Sequence, residues 1–343
     1  MRDAQINRQR LLKTIPASNC LWGFLHALPL ILIVVIKFFV IKPVNADDQT
    51  VQPKRRLAEV SGSNIQDAQQ ASGTRSLTAN WRELFAASAF DSEAGDRLPY
   101  RILPPFGMSK TEILGKLSEI SGYKTNRDTD SQRFPLVLFF HGAGERGNDN
   151  EKQLVHGASE FAKQDNREEF PSFVVFPQCP QGLRWVESDW ALRSGAGEFS
   201  VQPSQPMRCA MEMVDYLMDV LPIDPTRVYV TGLSMGGMGA WYAAAMHPQR
   251  FAAMLQVCGG GDPSWSSRYA GVPIWAFHGQ DDAIVPIERG REMIQALSQS
   301  GHWPELRYVE YPGVGHNSWT QTYARKDVFE WLFSQQKSNS DGR

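Results

Sequence analysis

The amino-acid sequence predicts an α/β fold, a doubly wound, mostly parallel sheet with helices on both faces. Short, continuous apolar runs recur along the chain, as expected for strands that are buried on both faces of a sheet. Between them lie stretches with apolar residues at helical spacing. This alternation predicts parallel strands joined by helical crossovers. Functional sites in such sheets lie at the carboxyl ends of the strands.

The predicted elements follow in chain order. Apolar runs predict strands over 135–140, 172–176, 227–231, 253–258, 272–277 and 306–311. Helical spacing predicts helices over 207–221, 237–246 and 288–300.

The segment before these elements has the composition of an export signal. Residues 1–13 are basic, an apolar run extends from Cys20 to Ile41, and Val44 and Ala46 provide the small residues that a signal peptidase reads. We therefore predict that residues 1–46 are a signal peptide and that the protein is secreted or periplasmic. The run over 20–41 is also long enough to span a bilayer, so an uncleaved membrane anchor is the alternative.

Composition also separates the rest of the chain into segments. Residues 47–79 are polar and show no sustained apolar period, which predicts a disordered linker. Residues 336–343 have the same character and predict a disordered tail. The remaining residues, 80–335, have the length of a single α/β domain.

The charge and cysteine content exclude several function classes. The whole chain has a net charge of −2, which gives no basis for nucleic-acid binding. Removing residues 1–46 removes six basic residues and one acidic residue, so the mature chain has 29 basic and 36 acidic residues and a net charge of −7. Cys179, Cys209 and Cys258 can form at most one disulfide, and their spacing fits no zinc motif. We expect no metal and no other cofactor.

The most informative motif is Gly-Leu-Ser-Met-Gly at 232–236, which lies between a predicted strand and a predicted helix. It has the G-x-S-x-G form in which a serine nucleophile lies on a sharp strand-to-helix turn. The glycines leave room for that turn, and the following helix N-terminus offers N–H groups to an oxyanion. Ser234 is therefore the candidate nucleophile. The alternative is a glycine-rich turn with an ordinary serine.

A serine nucleophile needs a base and an acid that orients the base, and in this arrangement the chain order is Ser, acid, His. His316 lies in a glycine-rich loop after the last predicted strand, where the base is expected. Asp281 and Asp282 follow the strand over 272–277, and either can be the acid. His278 precedes both, and we predict that it stabilises the turn.

Two backbone N–H groups would complete the site as an oxyanion hole. One belongs to Met235, the residue after the nucleophile. The other belongs to the glycine-rich loop at 141–147, where Ala143 is the first choice and Gly144 the alternative.

Other side chains in the loops have secondary predicted roles. His141 is predicted to be structural. Glu145 and Arg146 are predicted to clamp their loop by an ion pair, with contact between Arg146 and a substrate anion as the alternative. His156 has no partner that the sequence reveals, and His247 is expected to cap a helix. Tryptophans of the site loops could line a substrate pocket, namely Trp185, Trp190, Trp265 and Trp319.

The motifs together resemble one group of proteins. They are His-Gly-Ala-Gly-Glu-Arg-Gly at 141–147, Phe-Pro-Gln-Cys-Pro at 176–180, Gly-Leu-Ser-Met-Gly-Gly at 232–237, Cys-Gly-Gly-Gly-Asp at 258–262, His-Gly-x-x-Asp-x-x-Val-Pro at 278–286 and Tyr-Pro-Gly-Val-Gly-His-x-Ser-Trp at 311–319. The group comprises exported bacterial α/β-hydrolases described as carboxylesterases, phospholipase-like proteins or "predicted peptidases". They are related to dienelactone hydrolases, feruloyl esterases and polyhydroxybutyrate depolymerases. The resemblance covers about residues 80–335 and implies a triad of Ser234, Asp282 and His316.

The sequence departs from these relatives at Phe106–Arg133. In the relatives, the strand that resembles 98–103 is followed quickly by the strand that precedes the oxyanion loop. Here a short helical pattern over 109–120 intervenes. It is either a surface insertion or a flap near the site.

The resemblance implies an exported serine hydrolase that cleaves carboxylic esters through an acyl-enzyme. The expected substrates are small-molecule or polysaccharide-linked esters, such as feruloyl or acetyl groups, and membrane contact is expected only if the N-terminal segment is uncleaved. One alternative is a serine peptidase of prolyl-oligopeptidase type, for which the sequence before residue 80 is too short to hold a propeller domain. The other alternative is a non-catalytic binding protein on a hydrolase scaffold.

Overall fold

Eight strands form one sheet, and the apolar runs of the sequence supply its central strands. The computed structural model describes residues 80–118, 132–188, 198–301 and 305–337, which belong to one compact unit, Gly73–Arg343. The strands are β1 (Ala86–Asp91), β2 (Arg97–Leu103), β3 (Phe134–Phe140), β4 (Phe173–Pro177), β5 (Ile223–Leu233), β6 (Ala253–Val257), β7 (Ile274–Gly279) and β8 (Leu306–Tyr311). The predicted signal and linker over residues 1–79, and residues 338–343 of the predicted tail, lie outside the described residues.

Eight α-helices are described, together with short 3-10 turns. They are α1 (Lys110–Ser118), α2 (Ala158–Ala162), α3 (Gln164–Glu169), α4 (Gln205–Val220), α5 (Met235–Met246), α6 (Glu288–Gln299), α7 (Trp319–Tyr323) and α8 (Lys326–Ser334). Within the described ranges, no helix is both long enough and apolar enough to cross a membrane.

The strand order in the sheet is β1-β2-β4-β3-β5-β6-β7-β8. The pairs β1–β2 and β2–β4 are antiparallel, and all the other pairs are parallel. The predicted class, a mostly parallel sheet with helices, is confirmed. Because β3, β5, β6, β7 and β8 run in the same direction, the loops that follow them gather at one edge of the sheet.

The alternation of side chains along β3 shows how the two faces are filled. Leu136, Leu138 and Phe140 enter a core that includes residues of α4, α5 and α6. Val137 and Phe139, which point the other way, enter a second core with residues of α2 and α8. Burial on both faces explains why this strand is a continuous apolar run rather than an alternating one.

Helix α4 shows how local sequence sets an element that packs on the sheet. The side chain of Ser204 accepts a hydrogen bond from the N–H of Met207 and caps the helix, and Pro206 occupies its first turn. The apolar residues then recur along one side, and this side is buried, with Met207, Ala210, Met211, Val214 and Leu217 in the core.

Strands β5 and β1 differ most from the prediction, and the other predicted strands agree to within two residues at either end. Strand β5 begins at Ile223, four residues before the predicted start, because Ile223 pairs with Phe134 across a shift in register. Strand β1 was not predicted. Its sequence, Ala-Ala-Ser-Ala-Phe-Asp, has small residues and no apolar alternation, and it pairs with β2 at the edge of the sheet.

The predicted short helix in the Phe106–Arg133 stretch is present as α1. Its residue Ile113 is fully buried in the core, and the hydroxyl of Tyr216 on α4 donates to the carbonyl of Leu117. Helix α1 therefore packs against α4 and the edge strand β1, as a surface insertion would. Residues 119–131 of the stretch lie outside the described residues.

Candidate active site

Ser234 lies on the turn between β5 and α5, with φ of 55° and ψ of −121°. A positive φ is rare for a residue other than glycine and carries strain. The flanking glycines make this turn possible. A methyl group on Gly232 would overlap with the carbonyl of Gly236, and one on Gly236 would overlap with the carbonyl of Phe140. The G-x-S-x-G spacing is thus a steric requirement of this backbone.

His316 connects Ser234 to Asp282. Its Nε2 lies 2.8 Å from Ser234 Oγ, and its Nδ1 lies 2.7 Å from Asp282 Oδ2. A carboxylate only accepts hydrogen bonds, so Nδ1 carries the hydrogen of a neutral ring. Nε2 is then free to accept the hydrogen of the Ser234 hydroxyl. The structure brings together three residues that the sequence places after β5, β7 and β8.

The Asp282 side chain is buried and held from several sides. Its Oδ1 accepts the N–H groups of Ile284 and Val285, each at 2.9 Å. Burial raises the pKa of this carboxyl, but hydrogen bonds from His278, His316 and the Val285 N–H outweigh burial and hold the pKa well below its ordinary value. Asp282 is therefore ionised at neutral pH.

Between the two candidate acids, the structure places Asp282 against His316 and leaves Asp281 exposed. His278 has the turn-stabilising contact that was predicted, with Nε2 at 2.8 Å from the carbonyl oxygen of Val285. The same nitrogen lies 3.2 Å from Asp282 Oδ2. Because a carbonyl only accepts, Nε2 carries a hydrogen, and His278 also stabilises the Asp282 carboxylate.

The glycine-rich loop after β3 lies beside Ser234. Ala143 begins a 3-10 turn, Ala143–Glu145, and Met235 is the first residue of α5. Beneath the loop, His141 Nδ1 lies 2.6 Å from the carbonyl oxygen of Gly142, and His141 Nε2 accepts the N–H of Cys179 at 2.9 Å. Burial lowers the pKa of His141 to about 4, so this ring is neutral and structural, as predicted.

A pocket of about 220 Å³ opens at Ser234. Its lining consists of the glycine-rich loop after β3, Ser234 and His316, and a few side chains from other loops: Gly142, Ala143, Gly144, Glu145, His156, Leu233, Ser234, Ile284, His316 and Trp319. Ser234, His316 and the glycine-rich loop thus open onto one small space.

Comparison with known proteins identifies the family. A family model described as phospholipase/carboxylesterase matches residues 127–329, which is more than half of the chain. The chain belongs to the phospholipase/carboxylesterase family. The predictions of an α/β-hydrolase and of a carboxylic-ester hydrolase are confirmed at the level of family and fold.

Individual proteins that are similar to this chain are also named as esterases. A protein named probable carboxylesterase SOBER1-like from Arabidopsis thaliana is 26% identical over 215 residues, 58% of this chain and 79% of the relative. Acetylxylan esterase A from Emericella nidulans is 28% identical over 148 residues, 43% of this chain and 42% of the relative. The crystal structure of a thermostable esterase has a TM-score of 0.62 and 34% identity, and covers 75% of this chain and 64% of its own. The chain therefore spans less than half of the acetylxylan esterase and just under two thirds of the thermostable esterase.

Three of the predicted roles around the pocket are wrong, those of Trp185, of Trp265 and of the Glu145–Arg146 pair. Trp185 does not line the pocket: it is fully buried, packs on the ring of Phe140, and donates from Nε1 to the carbonyl of His141 at 3.1 Å. The Glu145–Arg146 ion pair is not formed either. Arg146 Nε donates to the carbonyl of Ala143 at 2.8 Å, so the arginine holds the loop through its backbone.

The other three tryptophans that were predicted for the pocket lie in different places. Trp319 lines the pocket, and its ring packs edge-on against His316 at 5.3 Å between centroids. Trp265 is buried beside Phe199 and Tyr242, away from the lining residues. Trp190 lies outside the described residues.

The polar pocket residue that the sequence did not assign to the site is His156. The sequence revealed no partner for His156, but its Nε2 lies 3.6 Å from Glu145 Oε1, and its ring packs against Trp319. No motif surrounds His156 in the sequence. The only local signal is Gly157, whose φ of 77° marks a backbone turn.

Cys258 is the one further group that could bind a metal together with Asp282 and His316, since their ligand atoms lie within 4.8 Å of one another among the described residues. The chemistry opposes such a site. Burial raises the pKa of the Cys258 thiol far above its ordinary value, and Asp282 and His316 are already paired with each other. Cys179, Cys209 and Cys258 are all buried free thiols, so no disulfide joins them.

Proposed function

We propose that this chain is an exported serine esterase in which Ser234 is the nucleophile, His316 the base and Asp282 the acid that orients it. The observation that carries the proposal is the position of the His316 ring, within 2.8 Å of Ser234 Oγ and 2.7 Å of Asp282 Oδ2. A ring with hydrogen on Nδ1 is the form that can take a proton at Nε2.

The reaction follows from these positions. His316 Nε2 takes the proton of Ser234 as Oγ attacks the ester carbonyl carbon, and the ionised Asp282 stabilises the imidazolium. The N–H groups of Met235 and Ala143, with Gly144 as the alternative to Ala143, stabilise the oxyanion. The protonated His316 gives its proton to the alcohol that leaves. Water, deprotonated by His316, then attacks the acyl-enzyme, and the protonated His316 returns the proton to Ser234 Oγ as the acyl–oxygen bond breaks and the carboxylic acid is released.

The predicted signal peptide supports export, and a membrane anchor at residues 20–41 is the alternative. Residues 80–335 are the proposed catalytic domain. The acetylxylan esterase among the relatives supports esters on polysaccharide as a substrate class. The small pocket at Ser234 is consistent with short acyl groups such as acetyl.

A pair of adjacent acids allows a matched test. We expect Ser234→Ala to lower kcat/KM for p-nitrophenyl acetate by at least about 10⁴-fold, and Asp282→Asn to lower it by about 10⁴-fold, because an amide would favour the wrong tautomer of His316. Asp281→Asn changes the same group at an exposed neighbour and should retain wild-type turnover. Circular dichroism spectra that match the wild type would show that each variant folds.

Labelling separates the alternatives. A fluorophosphonate probe should modify the wild-type protein and not Ser234→Ala, whereas a non-catalytic binding protein would not be labelled. Parallel assays with acyl esters and with peptide amides should show turnover of the esters. Preferential cleavage of the amides, or undiminished turnover by Ser234→Ala, would contradict the proposal.

A further inference from the structure

Glu145 and His156 form a second pair of polar side chains in the pocket, next to the serine and histidine of the proposed reaction. Both line the same space as Ser234. The Trp319 ring lies between the two histidines, with its centroid 5.3 Å from the ring of His316 and 5.1 Å from that of His156. The mechanism proposed above uses neither Glu145 nor His156.

The backbone around His156 is fixed from below. Leu154 and Ala158, on either side of it, are fully buried. Between them, Gly157 has a φ of 77°, and a methyl group there would lie only 2.6 Å from the ring of Phe139. The chain is therefore pressed onto the core at this point, and the imidazole of His156, about one third exposed, is directed to the pocket.

Glu145 is fixed by its own loop. It ends the 3-10 turn that begins with Ala143, and its side chain is largely buried. Burial raises the pKa of this carboxyl above its ordinary value, although the nearby His156 and the backbone N–H groups of Gly142 and Glu145 oppose the rise. One carboxylate oxygen, Oε1, faces His156.

The distance between the two groups indicates what they could bind. Oε1 and Nε2 are 3.6 Å apart, too far for a direct hydrogen bond. A hydroxyl oxygen to one side of this gap would lie within reach of both, since it can donate to the carboxylate and accept from the imidazole N–H. A carboxylate on the substrate would meet the negative charge of Glu145, and an alkyl group would leave both polar groups unpaired.

We propose that Glu145 and His156 form a subsite that binds a hydroxyl group of the ester substrate, with Trp319 against the adjoining carbon atoms. The inference rests on the proposed esterase function and names its substrate class, esters that carry a free hydroxyl. The hydroxyl can belong to the acyl part or to the alcohol part of the ester. The two polar side chains position the substrate and take no part in proton transfer at Ser234.

The test compares esters that differ only by one hydroxyl. For the acyl part, the pair is p-nitrophenyl 3-hydroxybutyrate and p-nitrophenyl butyrate. For the alcohol part, the pair is propane-1,3-diol monoacetate and propyl acetate, followed by acetate release. We expect the wild type to prefer the hydroxylated member of one pair by about 10- to 100-fold in kcat/KM, the worth of one hydrogen bond to a charged group. The pair that shows the preference identifies the part that carries the hydroxyl.

Variants at His156 assign the preference to the subsite. His156→Phe should abolish it, whereas His156→Gln, which keeps a donor of similar reach, should retain part of it. His247→Phe, at a half-buried histidine that does not line the pocket, should keep the wild-type ratio. Each ratio is taken within one preparation, so a partly unfolded sample does not alter it.

The outcomes separate this inference from the proposed function. Equal rates for both members of each pair, or a preference that survives in His156→Phe, would overturn the hydroxyl subsite while leaving the esterase proposal intact. If the wild type hydrolyses none of the four esters, or if Ser234→Ala hydrolyses them equally well, the esterase proposal itself fails.

Discussion

Two glycine-containing turns border the candidate site, and they are held in different ways. In the turn around Ser234, a methyl group on Gly232 or Gly236 would overlap with backbone carbonyls. In the loop after β3, a methyl group on Gly142 would meet side-chain atoms only, and one on Gly144 would meet nothing within 4 Å. Glycines that look alike in the sequence therefore serve backbone packing in the first turn and access to the pocket in the second.

The contacts that fix the two turns also differ. The turn around Ser234 is fixed by contact between strands and helix, which no change of protonation alters. The loop after β3 is fixed by hydrogen bonds of His141 and Arg146, and by the indole N–H of Trp185. Substitutions in the turn around Ser234 should thus lower the free energy of unfolding most. The stability that the loop after β3 contributes should depend on pH.

The largest expected effect is that of Gly236→Ala. The added methyl group would overlap with the carbonyl of Phe140 in β3, a central strand that cannot move without disturbing its neighbours. We expect the free energy of unfolding, measured with urea, to fall by at least about 3 kcal/mol. The matched control is Gly115→Ala in α1, where the methyl group meets nothing within 4 Å. In that variant the free energy of unfolding should rise by about 0.5–1 kcal/mol, because alanine favours a helix more than glycine does. Equal losses in the two variants would contradict the steric account.

The second effect concerns the pH dependence of the loop after β3. His141 is buried, and its pKa of about 4 in the folded protein lies below the value of about 6.5 in an unfolded chain. Between these values the unfolded chain binds the proton and the folded protein does not. The stability due to the neutral ring is therefore complete above about pH 6.5 and falls as the pH decreases to about 4, by about 3 kcal/mol in total.

Urea unfolding at pH 7.5, 6.5, 5.5 and 4.5 measures this loss. His141→Gln removes the titrating ring. Between these two pKa values, the free energy of unfolding of the variant should therefore fall by about 1.4 kcal/mol less per pH unit than that of the wild type. Asp282 also favours the folded state, but its folded pKa is lowered, so its contribution is lost only at more acidic pH, below the ordinary carboxyl range. Parallel curves for wild type and variant would show that His141 is not responsible.

A smaller effect is expected for Gly142→Ala. The methyl group would lie 2.9 Å from Glu145 Oε2 and 3.0 Å from Leu233 Cδ1, and both are ends of side chains that can shift. We expect a loss of about 1–2 kcal/mol in the urea experiment, less than for Gly236→Ala. Because the Glu145 carboxylate must move, the preference for hydroxylated esters should also decrease. A loss as large as that of Gly236→Ala would show that this loop is as rigid as the turn around Ser234.

The contrast between the turns also explains what the sequence could predict. The turn around Ser234 has a steric requirement that leaves a local pattern, Gly-x-Ser-x-Gly after an apolar strand, so its position could be predicted. The parallel strands were predictable because burial on both faces makes their sequences continuously apolar. Strand β1 has no such pattern, because it lies at the edge of the sheet and is only partly buried.

Side chains that depend on distant packing could not be assigned. His156 reaches the pocket because Gly157 is pressed onto Phe139, a contact between residues far apart in the sequence. Trp185 lies in a segment without periodicity between β4 and α4, so nothing in the sequence indicates that it points into the core and not into the pocket. Between Asp281 and Asp282, the residues alone left both open, because neighbours in a loop can point either way.

The smallest expected effect on stability is that of Gly144→Ala, at the open end of the comparison. Gly144 has no positive φ, and an added methyl group would meet no atom within 4 Å. The substitution also lowers the freedom of the unfolded chain, so the free energy of unfolding should stay the same or rise by up to about 1 kcal/mol. Since Gly144 lines the pocket of about 220 Å³, the methyl group would take space from the substrate. We therefore expect the ratio of kcat/KM for p-nitrophenyl acetate over p-nitrophenyl octanoate to rise several-fold, because the longer chain needs more room. A loss of stability like that of Gly142→Ala would mean that this position is packed like the turn around Ser234. An unchanged ratio would mean that the position is not open to the pocket.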